Sequence, residues 1–130
     1  TVIHPRSLNA QILGGSIQGM GMAMSQKWVF DPQYGVPFAN RLYTARPPGI
    51  LDVPTNMQAG AIGIPDPQTP VGAKGIGEPP VGAGSAALTT AIADAMGGTC
   101  LCRTPLTPDI ILTELEGREL PFSPLQQHVG

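Results

Sequence analysis

"VGAKGIGEPPVGAGSAALTTAIADAMGG", residues 71–98, sets Gly72, Gly75 and Gly77 ahead of a single carboxylate, Glu78, and follows it with Pro79-Pro80 and an alanine-rich run. Glycines at those positions let the backbone turn tightly and present N–H groups as a concave nest. Pro79 and Pro80 stiffen the exit, and Pro79 biases Glu78 towards an extended conformation. The carboxylate therefore has a fixed direction near the start of a helix, whose positive end favours a negative charge. Lys74, four residues earlier, can neutralise the same region. An ionised, oriented carboxylate in a dry site is a general base. The same features also suit an acid that bonds the free N–H groups at a helix start, and the loop alone leaves the choice open. Ser85 is the expected cap of a helix over 86–96, with Leu88, Ile92 and Ala95 as its buried stripe and Gly97-Gly98 as its end.

Upstream, residues 8–26 place Leu8, Ile12, Leu13, Ile17, Met20 and Met24 at spacings of three and four, a helical period. Gly14, Gly15, Gly19 and Gly21 interrupt it, each costing about 1 kcal/mol relative to Ala. A helix carries such residues where a neighbouring helix, a strand or a ligand comes close to its backbone. Gln11 and Gln18, seven apart, fall on nearly one face. Residues 27–30 and 36–43 read as short strands around an Asp31–Gly35 turn. The proline-rich stretch over 44–72 reads as irregular, with one strand near 57–64. Residues 99–103 suggest another short strand, with Cys100 and Cys102 as buried apolar thiols. Thr107 caps a final helix, with Pro108 at its first position, that runs to about Leu115. Residues 1–116 form one domain segment, and 117–130 read as a tail.

Only 12% of the 130 residues are charged, against about 25% in ordinary soluble domains. That deficit points to a surface covered by partners. A net charge of −2 without basic clusters provides no footprint for nucleic acid. No run of 18 apolar residues offers a membrane span. Two cysteines cannot supply the four ligands of an ordinary zinc or iron–sulfur site, so no metal is expected on protein ligands alone. Thr1 stands where an initiator Met would, which suggests processing or a truncated start.

Four segments together resemble the xanthine oxidase family of molybdenum hydroxylases, in the C-terminal part of its molybdopterin-binding large subunit. "IHPRSLNAQILGGSIQGMGMAM" is similar to the family's glutamine- and glycine-bearing helix, with His4 standing where Asn is usual. "PDPQTPVGAKGIGE" is similar to the approach to the family's glutamate, "GAKGIGEPP" to the active-site segment itself, and "TPLTPDIIL" to its ending. They occur in the family's order and cover about residues 3–115. The resemblance implies an α+β fold, part of a molybdopterin-binding domain: two longer helices, short strands, and proline- and glycine-rich loops, with strand partners from another chain.

It also implies a function. Glu78 matches the family's catalytic base, which takes the proton from the Mo–OH group, while Gln11 matches a cofactor-binding glutamine. Lys74, Gly75, Ile76 and Gly77 match backbone beside the pterin. The implied enzyme is a molybdenum hydroxylase subunit, active only with partner chains, that oxidises an electron-poor carbon of an aldehyde or N-heterocycle with water-derived oxygen. Its cofactor is molybdopterin with molybdenum, in the plain or the cytosine dinucleotide form. Partner chains are expected to include the rest of the molybdenum subunit, an iron–sulfur subunit with [2Fe–2S] clusters and a flavin subunit with FAD, in the cytoplasm. Two other readings stand beside it: a structural subunit without chemistry, and a hydrolase with Thr1 as N-terminal nucleophile.

Overall fold

A computed structural model describes residues 1–119. The expected tail lies, from residue 120 onward, outside the described residues. Four helices follow one another: α1 Pro5–Met24, the single turn α2 Leu42–Ala45, α3 Pro79–Ala95 and α4 Pro108–Leu115, with a 3-10 turn at Ile50–Asp52 between α2 and α3.

Helix α1 begins earlier than its hydrophobic period suggests. Pro5 opens it without wasting a donor, and His4 caps it, Nδ1 accepting from the Ser7 N–H at 3.1 Å. The imidazole nitrogen does what an Asn side-chain oxygen does at such a position. Helix α3 also starts earlier than expected. Its cap is Glu78 rather than Ser85, and Pro79 and Pro80 are its first two residues, where a missing N–H costs nothing. Its half-buried residues, Val81, Gly84, Ser85, Leu88, Ile92 and Met96 among them, recur at three and four. Ala95, expected in that stripe, is exposed. Thr107 and Pro108 begin α4 where the sequence suggests.

The two long helices pack against each other, and their glycines set how closely. A methyl group on Gly19 would overlap the Val81 carbonyl oxygen and come within 2.7 Å of the Ser85 nitrogen. One on Gly84 would sit 2.8 Å from the Ser16 carbonyl oxygen, and one on Gly15 would be 2.8 Å from the Pro80 Cβ. The object that comes close to these α1 glycines is therefore a helix, backbone against backbone. Gly21 instead makes room for Pro48 and Gln26. Gly14 faces open space.

The helical half of the expected arrangement is present, whereas no strand forms among the described residues. The hairpin over 27–43 shrinks to one antiparallel bridge, Phe30 to Pro37. Its turn is well made: Asp31 Oδ1 accepts from the Gln33 N–H, and Gly35 takes a φ of 66°. Two bonds flank the bridge, the Asp31 N–H donating to the Val36 carbonyl at 2.9 Å and the Phe38 N–H to the Val29 carbonyl at 2.8 Å, and the pairing goes no further. Residues 57–64 make no backbone hydrogen bond with the rest of the described chain, and the Cys100–Cys102 stretch is irregular. A strand needs a neighbour, and none lies beside these segments.

Burial is correspondingly thin. Among the described residues Ala23, Leu106 and Ile110 are buried together where the Leu106 N–H donates to the Ala23 carbonyl at 2.6 Å beneath the end of α1, and Pro80 is buried at the start of α3. Trp28, Leu51 and Ile62 are 82, 97 and 90% exposed. Apolar exposure on this scale marks surface that ordinarily meets another polypeptide.

Candidate functional site

The turn over residues 66–72 prepares the glycine loop. Asp66 Oδ1 accepts from the Gln68 N–H at 2.9 Å, and the Asp66 N–H closes the turn onto the Gly72 carbonyl at 3.0 Å. Gly72 has a φ of 68° and lies against Pro65, so glycine is required there twice over. The Thr1 nitrogen donates to the same Gly72 carbonyl at 2.8 Å, which draws the first residues alongside the loop.

Beyond Gly72 the character changes. The amide N–H groups of residues 73–78 find no protein acceptor among the described residues. Gly75 and Gly77 have no atom within 4 Å of where a Cβ would stand. The loop borders a cavity of about 800 Å³, walled on its other sides by the start of α1 and by residues 60–64. Ile3, Leu8, Ile12, Ile64 and Ile76 give it an apolar lining, with the unpaired loop amides and side chains such as Ser7 and Gln11 as polar elements.

Of the residues singled out from the sequence, Gln11, Lys74, Gly75, Ile76 and Gly77 all line this one cavity. Gln11 projects from α1, and its Nε2 donates to the Gly77 carbonyl at 2.5 Å. Its Oε1 has no protein partner among the described residues. Gln18 does not reach the cavity. Lys74 lies 3.5 Å from Asp66 Oδ2, so its charge is directed to the preceding turn and not to Glu78.

Glu78 follows the last lining residue and is not itself part of the wall. Its backbone lies in the helical region, φ −96° and ψ −26°, not in the extended one. A following proline disfavours that region without closing it, and here the helix recovers the cost, because the Glu78 carbonyl accepts from the Val81 N–H at 2.9 Å. The side chain makes no capping hydrogen bond and is exposed. Its carboxylate is thus not consumed in closing the helix, which removes the bland explanation for an acid at this position.

Sequence reasoning missed the contribution of residues 1–4 and 60–64, which form walls of the cavity. Their only signal was the isolated glycines Gly60 and Gly63 in an otherwise apolar stretch. The thiols also differ from expectation. Cys100 and Cys102 are exposed, with Sγ atoms 3.4 Å apart, and the hydrogen bond shared with Cys100 pushes the Cys102 thiol above its usual range. Among the described residues no three His, Cys, Asp or Glu side chains group as metal ligands, and no helix is long and apolar enough to cross a membrane.

Comparison with known proteins gives the cavity a context. A family model described as a molybdopterin cofactor-binding domain matches residues 1–54, which include α1 and Gln11. The chain is 34% identical over 116 residues to the probable hypoxanthine oxidase XdhD of Escherichia coli K12, covering 89% of this chain and 12% of that protein. It is 31% identical over 117 residues to the 6-hydroxypseudooxynicotine dehydrogenase complex subunit gamma of Paenarthrobacter nicotinovorans, covering 89% and 15% respectively. It is 32% identical over 108 residues to the aldehyde oxidoreductase of Megalodesulfovibrio gigas, covering 83% and 11%. The chain thus spans between 11 and 15% of the length of these relatives. The matched stretch runs through the glycine-bearing helix and the glycine loop, and with those two features bordering one cavity, the chain belongs to the xanthine oxidase family of molybdenum hydroxylases, in the molybdopterin-binding region of their large subunits.

Proposed function

We propose that the chain contributes one wall of a molybdenum hydroxylase active site, and that Glu78, at the edge of that wall, accepts a proton during oxidation of an electron-poor carbon. The observation that supports this most is the loop over 73–78, whose amides are unspent and whose glycines leave open space beside a cavity. A flat, polar, anionic cofactor suits such a wall: backbone donors bind it, and the missing side chains let it approach. Gln11 Oε1 and the N–H groups of Lys74, Gly75, Ile76 and Gly77 are the groups that would hold molybdopterin. When bound, the molybdenum centre supplies the redox change and an activated water-derived oxygen.

The protein's part is then acid–base and positional. The Glu78 carboxylate oxygen, unoccupied by any cap, takes up the proton released when the oxygen becomes nucleophilic. Ile3, Leu8 and Ile76 give the cavity apolar walls, which would strengthen the charge interactions inside once a cofactor and the rest of the enzyme close over them.

The relatives are named for a hypoxanthine oxidase, a nicotine-derivative dehydrogenase complex and an aldehyde oxidoreductase. An aldehyde or N-heterocycle is accordingly the proposed substrate class. The proposed partners are the remainder of the molybdenum subunit and chains carrying [2Fe–2S] clusters and FAD, in a cytoplasmic complex. The exposed Trp28, Leu51 and Ile62 are the surface such partners would cover.

Glu78→Gln in the assembled enzyme preserves shape and removes the base. Turnover is expected to fall about 100-fold or more, with molybdenum and pterin content unchanged. Near-normal turnover at full cofactor content would refute the assignment. The absence of Glu78 from the cavity wall favours a second reading, a structural subunit without chemistry. Under that reading Glu78→Ala leaves turnover of the complex untouched.

A further inference from the structure

Gln11 is the one side chain hydrogen-bonded to the loop between Gly72 and Glu78 among the described residues. Residues 73–77 make no backbone hydrogen bonds there, and neither Gly75 nor Gly77 is held by a neighbour within 4 Å of its Cβ position. Gly77 directly precedes Glu78, so the orientation of the Gly77 peptide sets where the Glu78 backbone begins. That peptide would swing about two glycine-rich joints but for the bond from Gln11 Nε2 to its carbonyl, at 2.5 Å. Gln11 itself sits on α1, which the Gly19–Gly84 crossing locks to α3, the helix that Glu78 caps. The bond therefore closes a ring: α1, the loop, the cap of α3, and back across the helix interface.

We propose that Gln11 is a positioning residue for Glu78, acting through its amide donor on the Gly77 carbonyl, in addition to any contact its free oxygen makes with a cofactor. The proposal rests on the reading of Glu78 as the proton acceptor. It predicts that the donor, not merely the size of the side chain, is what the site needs. Gln11→Glu keeps the length and replaces the donor with an acceptor facing another acceptor; Gln11→Ala removes it.

Limited trypsin digestion of the assembled full-length protein, prepared without cofactor, reads the loop independently of catalysis. In both variants cleavage after the exposed Lys74 is about tenfold faster, while cleavage after Arg41, far from the loop in sequence, is unchanged. Unaltered cleavage after Lys74 overturns the proposal. Turnover in a double-mutant cycle tests the link to Glu78. Gln11→Ala lowers turnover per bound molybdenum about tenfold alone and less than about twofold on a Glu78→Gln background. Equal loss per molybdenum on both backgrounds, or unchanged turnover per molybdenum in Gln11→Ala, overturns it. Normal turnover of Glu78→Gln alone removes the base reading and the purpose of the clamp, while the digestion result still decides whether Gln11 holds the loop.

Discussion

Gln11 and Gly77 are 66 positions apart, yet the amide of one donates to the carbonyl of the other at 2.5 Å, joining α1 to the peptide before Glu78. Loop and helix are thereby one unit, and the position of the carboxylate depends on the packing of a helix that begins at Pro5. Glu78→Asp tests how tightly that position is specified. Asp keeps the charge but retracts it by one methylene, and displacements on that scale cost about 100-fold in well-oriented sites. Turnover between that of wild type and Glu78→Gln is expected. Steady-state kinetics at matched molybdenum content provide the check, and wild-type turnover for Glu78→Asp would count against a fixed base.

Gly75 and Gly77 separate a ligand cradle from a folding requirement. Neither has a positive φ, and neither would bring a Cβ within 4 Å of another protein atom. Alanine at either place is expected to leave the unfolding free energy of the assembly prepared without cofactor within about 0.5 kcal/mol of wild type. Bound molybdenum and pterin should fall about tenfold. Full loading of both variants would mean that nothing occupies the space beside those glycines.

The helix crossing makes the opposite prediction for Gly19. A methyl there would overlap the Val81 carbonyl, and α3 would have to move away, costing about 1–3 kcal/mol. Gly14, four residues from Gln18 on the open side, meets nothing, so Gly14→Ala is expected to stabilise by about 0.5–1 kcal/mol through helix propensity. Denaturation midpoints of the two variants should lie on either side of wild type.

His4 is a cap by geometry, Nδ1 accepting from the Ser7 N–H at 3.1 Å. Removing it in His4→Ala is expected to cost about 1 kcal/mol, whereas His4→Asn, which offers an oxygen in the same role, should restore most of that. Thermal unfolding of the pair decides whether the imidazole serves the helix or something else.

The Cys102 thiol, raised by its hydrogen bond with Cys100, holds its proton to higher pH than an ordinary cysteine. Since the thiolate is the reactive form, alkylation of Cys102 at pH 8 is expected to be slower than that of an unperturbed thiol and to gain rate as pH rises past the usual midpoint. Cys100→Ala removes the bond and should speed the reaction at pH 8. Mass spectrometry of iodoacetamide-treated protein over a pH series measures both effects.

Much of this protein was legible from residue order. The three- and four-residue spacing from Leu8 to Met24, the Thr107-Pro108 start and the Gly97-Gly98 stop are local signals, and the helices follow them because capping and periodicity act over a few neighbouring residues. The glycine loop and its carboxylate were equally visible, as was the demand that something lie against the α1 glycines. Which glycines meet α3 was not visible, since Gly14 and Gly15 are chemically identical and only the direction of the crossing distinguishes them. Nor could order alone reveal that residues 57–64 would go unpaired, that Lys74 would turn to Asp66, or that Glu78 would join the helix it was expected to precede. Residues 57–64 go unpaired because pairing needs a distant partner, whereas the Lys74 ion pair and the helical Glu78 turn on geometry within a few residues, where several arrangements suit the same residue order.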